Sequence, residues 1–179
     1  MTYNWNWPNN VARPCVVKHN YPVPPLPTLT AIGVGEHYDV TPTYDRISFT
    51  FTGTFPGYDV LWVSQVVADP SGKPVPLAGN DFLRIHFTEA TAHDASGSTV
   101  HTAPGSHVGF KAINSYAQAG DFEGVITFGV SNYRTITNSN PQPQVRTTEV
   151  KTSDGHGQYL YIVAIDIQNR GMGGNPVTP

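Results

Sequence analysis

Cysteine is almost missing from this sequence: Cys15 is the only one among 179 residues. A single thiol excludes an internal disulfide and a cysteine-based metal cage. Its surroundings, VARPC, lack the small residues of a lipid-attachment site. Cys15 also precedes the expected core, where a thiol nucleophile would have no scaffold to orient its base. Cys15 therefore predicts neither an anchor nor a catalytic group.

Long apolar runs and clusters of positive charge are also missing. No stretch approaches the roughly 20 residues that span a bilayer, and the opening residues MTYNWNWPNN lack the basic and apolar regions of a signal peptide. The formal net charge is −3, and no run of Lys or Arg offers a surface for phosphates. We therefore predict no transmembrane segment and no nucleic-acid partner.

Motifs for nucleophilic catalysis and for phosphate binding are missing too. No Gly-X-Ser-X-Gly elbow is present, and the glycine pairs in AIGVGEH and GMGGN do not lie between a strand and a helix. Three of the seven histidines, His93, His101 and His107, share one loop-rich stretch. Their spacing is too loose for a zinc site, so we interpret them as solvated loop residues. The sequence predicts no metal, no cofactor and no enzymatic activity.

The residues that are abundant favour short strands joined by turns. Glycine (17) and proline (16) are frequent, and aromatic residues make up 11% of the chain. Apolar and polar residues alternate in DRISFTFTG and FLRIHFTEA, while QYLYIVAIDIQ is apolar on both faces, as in a central strand. We predict an all-β fold, a single-domain antiparallel β-sandwich or small partly open barrel. The residues predicted to face its core are Ile47, Phe49, Phe51, Leu83, Ile85, Phe87, Phe122, Ile126, Phe128 and Val130.

Proline and glycine divide the chain into three parts. Residues 1–28 form an extended N-terminal arm and a Pro-rich spacer, because NYPVPPLPT favours a polyproline conformation. Residues 29–170 form the β domain, and residues 171–179 form a flexible tail. In an extended arm Tyr3, Trp5 and Trp7 share one side. These rings could clasp the edge of the domain or bind a protein partner.

Two carboxylates stand one residue apart in AGDFEGVITFGV. On one face of a strand Asp121 and Glu123 would lie about 6.5 to 7 Å apart, a separation compatible with glycosidase chemistry. The alternation turns Phe122 inward and both acids outward, toward solvent or a loop. We therefore favour a structural role, in which Asp121 and Glu123 pair with Arg46 or accept backbone N–H bonds at the start of a strand. A carboxylate-based hydrolase is the lesser alternative.

Aromatic rings are more numerous than a core needs. Flat rings beside polar groups bind sugars and extended peptides. Trp62, in YDVLWV, is expected to fill the core, because large rings usually occupy the interior of a sandwich. The candidate ligand-binding residues are Tyr44, Tyr58, Trp62 and Tyr133.

Three stretches in the same order and at the same spacing are similar to a known family. They are YDRISFTFTG with FPGYDVLWV, then VADPSGKPVPLAGNDFLRIHFTEATAHD, then AGDFEGVITFGV. Over Ile32 to Gln168 the chain resembles the AMIN-like domain of secreted proteins and lipoproteins of actinobacterial cell envelopes. The resemblance implies a non-catalytic, extracytoplasmic all-β module. Because the related AMIN domain targets cell-wall amidases to peptidoglycan, it also implies a cell-wall glycan or peptide as partner.

Overall fold

The computed structural model of the protein describes residues 1–8, 15–19, 25–134 and 142–169. Within these ranges the chain forms nine strands and no helix, and the strands make two antiparallel sheets. The predicted all-β sandwich is confirmed. The strands are β1 (Cys15–Val17), β2 (Thr28–His37), β3 (Tyr44–Thr52), β4 (Gly57–Val63), β5 (Asp81–Thr88), β6 (Ser115–Phe122), β7 (Val125–Asn132), β8 (Val145–Ser153) and β9 (Tyr159–Gln168).

The two sheets have five and four strands. The order is β1-β4-β5-β7-β6 in the larger sheet and β2-β3-β9-β8 in the smaller one. The prediction of a central strand near the C-terminus is confirmed, since β9 lies between β3 and β8 and its residues 163–168 are buried. Both faces of this part of β9 are covered by other residues, which explains why both are apolar in sequence.

The core lies between the sheets and is formed by the alternating residues of the facing strands. All the predicted core residues except Phe122 are buried. Phe49 packs its ring against the rings of Phe87 and Phe128, with both centroid distances at 4.9 Å. The Phe87 contact is edge-on and the Phe128 contact is tilted, and aromatic rings prefer such arrangements to a face-to-face sandwich.

The prediction is wrong for Phe122, which is 52% exposed. Glu123 and Gly124 form a two-residue hairpin turn between β6 and β7, with φ values of 51° and 78°. Asp121 therefore lies opposite Ile126, and cross-strand partners share one face of a sheet. Core-facing positions are therefore odd-numbered at the end of β6 and even-numbered in β7. Asp121 points to the core side, and Phe122 points outward.

The N-terminal residues belong to the sandwich. β1 pairs with β4, and Cys15 lies opposite Val60. Cys15 is half-buried and packs against the core, so its predicted place outside the core is wrong. Burial raises the pKa of its thiol, which keeps the thiol protonated and unreactive. Residues 20–24 of the predicted spacer and the tail 171–179 lie outside the described residues.

Candidate functional site

The N-terminal arm, residues 1–8, lies along β8. The backbone N–H of Tyr3 donates to the carbonyl of Thr147 at 2.9 Å, and that of Asn6 donates to the carbonyl of Val145 at 2.9 Å. The bridges of Thr2 with Thr148 and of Asn6 with Val145 differ by one residue in register. The arm thus pairs with the edge of its own domain, the first of the two possibilities considered for its rings.

The register shift separates the rings of the arm. Tyr3 lies opposite Thr147, which is 2% exposed and faces the core. Trp5 instead contacts Arg146, on the outer face of the smaller sheet, with the guanidinium carbon 4.6 Å from the ring centroid. The prediction that the rings of the arm share one side is therefore wrong, because a one-residue slip changes the face to which side chains point.

A groove of about 370 Å³ lies between the arm and β1. We call it the arm groove. It combines aromatic rings with side-chain amides and a hydroxyl, the mixture that suits polar ligands with flat apolar faces, such as sugars. Its lining residues are Tyr3, Asn4, Trp5, Asn6, Cys15, Val16, Val17 and Thr147.

One lining residue, Thr147, has further polar groups near it. The carboxylate of Glu149 lies 2.7 Å from Nε2 of His19. The hydroxyl of Tyr58 donates to Oγ1 of Thr147 at 3.4 Å. Burial and the nearby charge of Glu149 raise the pKa of Tyr3, and burial raises that of Tyr58. Both phenols therefore stay protonated at neutral pH, and that of Tyr58 donates its proton to Thr147.

Two arginines flank one buried aspartate beyond the groove, on the outer face of β3, β9 and β8. Arg46 donates from Nε to Oδ1 of Asp166 at 2.6 Å and from Nη2 to Oδ2 at 3.1 Å. Arg146 donates to Oδ2 from Nε at 2.9 Å and from Nη2 at 2.6 Å. Asp166 is 0% exposed. We call Arg46, Arg146 and Asp166 the arginine cluster.

Aromatic rings border the arginine cluster. The guanidinium carbon of Arg146 lies 5.0 Å from the ring centroid of Tyr44, and that of Arg46 lies 5.5 Å from it. The ring of His37 stacks on Tyr44 at 4.5 Å, and Trp5 meets Tyr44 edge-on at 5.8 Å. Cation–π attraction to these rings and hydrogen bonds to the carboxylate of Asp166 hold both guanidinium groups in place.

The predicted ligand-binding rings do not form one surface. Trp62 is 3% exposed, so its expected place in the core is confirmed, and its Nε1 donates to the carbonyl of Pro143 at 3.2 Å. Tyr58 is 2% exposed and also faces the core. Tyr133 is half-buried just after β7, in the other sheet from Tyr44. Of these rings only Tyr44 adjoins the arginine cluster.

A family model described as the AMIN-like domain matches residues 27–147. The chain belongs to the AMIN-like domain family. AMIN-like domains are in general extracellular binding modules, which relates this chain to the cell envelope. Comparison with curated proteins and with solved structures gives no match. The described part of this AMIN-like domain contains no helix of the length and apolarity needed to cross a membrane.

The acidic pair of the AMIN-like domain lies at the opposite edge of the larger sheet from β1. Oδ2 of Asp121 lies 2.6 Å from Nδ1 of His93 and accepts the backbone N–H of Ala92 at 3.2 Å. The predicted pairing of Asp121 or Glu123 with Arg46 is wrong, because Arg46 is bound to Asp166. Asp121 is at the end of β6 rather than at the start of a strand, since the turn begins at Glu123.

Asp121 and Glu123 also line one shallow depression of about 450 Å³ with His93. The prediction of solvated loop histidines is wrong for His93, which binds Asp121, and for His101, which is half-buried and has its pKa lowered by that burial. Among the described residues no group of three or more His, Cys, Asp or Glu side chains is placed to hold a metal ion.

Changing Asp121 to Ala is expected to lower the free energy of unfolding by about 1 to 3 kcal/mol, because its carboxylate holds the loop at Ala92 and His93 by charge-assisted hydrogen bonds. Changing the exposed Glu123 to Ala in the adjacent turn provides the control and should cost less than about 1 kcal/mol. Urea unfolding curves measure both values. An unchanged curve for the Asp121 variant would contradict the structural role.

Proposed function

We propose that this AMIN-like domain is a non-catalytic, extracytoplasmic module that binds peptidoglycan or another wall component in the arm groove. The observation that carries the proposal is the lining of the groove, which includes the aromatic residues Tyr3 and Trp5 and the amide residues Asn4 and Asn6. Such rings stack on the apolar face of a sugar, and amides bind hydroxyl and acetamido groups. Family membership supports a wall component as the source of that sugar.

In this proposal the N-terminal arm forms part of the binding site, because its residues 3–6 line one side of the groove. Its backbone bonds to Thr147 and Val145 place Trp5, and the guanidinium of Arg146 supports the ring. A ring held in this way loses little conformational freedom when a ligand binds, which favours affinity.

The alternative of a protein-binding arm is less favoured. In the described residues the arm already pairs with β8, so a partner's sheet edge would have to displace it. Size-exclusion chromatography of the full chain tests one form of this alternative, in which copies of the chain exchange their arms. The arm-groove proposal predicts a mass independent of protein concentration, while exchange of arms between copies predicts a dimer that increases with concentration.

A carboxylate-based hydrolase is the lesser alternative. Asp121 and Glu123 line one depression, but one oxygen of Asp121 is engaged by His93 and the N–H of Ala92. A general acid or base needs a carboxylate that can exchange its proton with the substrate. Incubation of wall glycan with the domain should release no reducing ends; release that stops in Asp121→Asn would favour the hydrolase.

Changing Trp5 to Ala is expected to weaken retention on purified peptidoglycan by at least about tenfold, since a tryptophan central to a binding site typically contributes about 2 kcal/mol. Changing Asn4 to Ala should weaken it too, because Asn4 lines the groove. Trp7 belongs to the same arm, is 45% exposed and does not line the groove, so Trp7→Ala is the matched control. A co-sedimentation assay measures retention, and a thermal melt checks each fold.

Two results would contradict the proposal. One is retention of the unchanged domain no better than that of an unrelated β-sandwich protein of similar charge. The other is equal retention of the Trp5 and Trp7 variants, which would place the binding surface away from the groove.

A further inference from the structure

We propose that the arginine cluster binds a carboxylate group of the same wall ligand, so that the ligand is an acidic, peptide-bearing glycan rather than a neutral sugar chain. This inference rests on the function proposed above and names the chemistry of its ligand. Trp5 connects the two places, because it lines the arm groove and also stacks against Arg146. A ligand in the groove thus lies next to the cluster.

The charge of the cluster is not balanced within it. Asp166 is bonded to two guanidinium groups, so the cluster has one more positive than negative charge. Both arginines use Nε and Nη2 for Asp166, and Nη1 of neither is bonded to an acceptor among the described residues. Two N–H-bearing groups with one unit of positive charge suit a monoanionic carboxylate.

Both arginine side chains are partly exposed to solvent. The side chain of Arg46 is 30% exposed and that of Arg146 is 24% exposed. Their positions are fixed by Asp166 from one side and by Tyr44 and Trp5 from another. An oxyanion that binds there need not order the arginines first, which lowers the cost of binding.

The sheet leaves room for a ligand beside Arg46. Its neighbour on β2 is Gly35, which pairs with Arg46 across the two strands. A Cβ atom added at Gly35 would meet only Nε2 of His37, at 3.9 Å. A Cβ atom at position 35 therefore fits, and it would lie on the same face as the side chain of Arg46, since cross-strand partners have Cβ atoms about 4.5 to 5.5 Å apart.

This room gives a test that leaves the cluster itself intact. Gly35→Glu places a carboxylate of the chain next to Arg46, where it competes with the ligand. Gly35→Gln has the same shape without the charge and is the matched control. We expect Gly35→Glu to weaken retention on purified peptidoglycan by about tenfold or more, the value of a charge-assisted hydrogen bond, and Gly35→Gln to weaken it less than threefold. Thermal melts should show both variants folded.

The ligand is varied in parallel. Peptidoglycan with carboxylates converted to amides should lose retention by a similar factor, while peptidoglycan stripped of phosphate polymers by hydrofluoric acid should retain the domain unchanged. Equal effects of the two position-35 variants, or equal retention by amidated and native material, would overturn the carboxylate inference. If retention falls only after the phosphate polymers are removed, the carboxylate inference is overturned in favour of a phosphate ligand. If native retention still depends on Trp5 in those cases, the proposed function stands; if the unchanged domain is not retained at all, both fail.

Discussion

Replacing Asp166 with Ala is expected to lower the free energy of unfolding by about 3 to 5 kcal/mol, the usual cost of removing one partner from a buried ion pair. Asp166 is 0% exposed and receives four hydrogen bonds from Arg46 and Arg146. Without it, the like charges of Arg46 on β3 and Arg146 on β8, the two strands that flank β9, face each other without the carboxylate between them. Urea unfolding at neutral pH measures the loss.

Asp59 provides the matched control. It also binds one arginine and one further cation-forming group, with Nη2 of Arg84 at 2.7 Å and Nδ1 of His86 at 2.9 Å, but its side chain is 21% exposed. Because water replaces those contacts, Asp59→Ala should cost about 1 kcal/mol or less. Equal losses in the two variants would show that burial does not decide the contribution of Asp166.

The core could be predicted because its signal is local. Whether Ile47, Phe49 and Phe51 face one side depends only on the two-residue period of an extended chain, and all three are 0% exposed. The same rule failed at Phe122, where the turn at Glu123 and Gly124 reversed the pattern. The glycine in DFEG was the available signal for that turn, since the type I′ turn of a two-residue hairpin needs positive φ at both central positions.

The arginine cluster could not be predicted, because its members are distant in sequence. Arg46 and Asp166 are 120 residues apart, and only the register of β3 with β9 brings them together. The sequence indicated that both lie on strands, yet nothing in the local pattern states which strands are neighbours. The arm groove depends in the same way on the pairing of residues 1–8 with β8. Local alternation therefore predicts burial, while the candidate site depends on strand order and register.

Asp45 is a second carboxylate with 0% exposure on which the fold depends. It is 0% exposed at the start of β3, and its Oδ2 accepts the backbone N–H groups of Ala112 at 2.5 Å and Ile113 at 3.3 Å. Ala112 and Ile113 are themselves 0% exposed and belong to the loop between β5 and β6. Asp45 thus holds this loop against the core, where water cannot replace its bonds.

Replacing Asp45 with Ala is expected to cost about 2 to 4 kcal/mol of unfolding free energy, because two buried N–H groups lose their acceptor. Asp45→Asn keeps an oxygen acceptor and should cost less.

Burial raises the pKa of Asp45 above its ordinary value of 3.8, so the folded protein binds this proton more readily than the unfolded chain does. The contribution of Asp45 to stability therefore increases as the pH falls through the folded pKa and is complete below 3.8. Unfolding curves between neutral and acidic pH should show the stability of the unchanged protein rising relative to that of Asp45→Asn, and a constant difference would mean that the carboxylate does not titrate in its buried position.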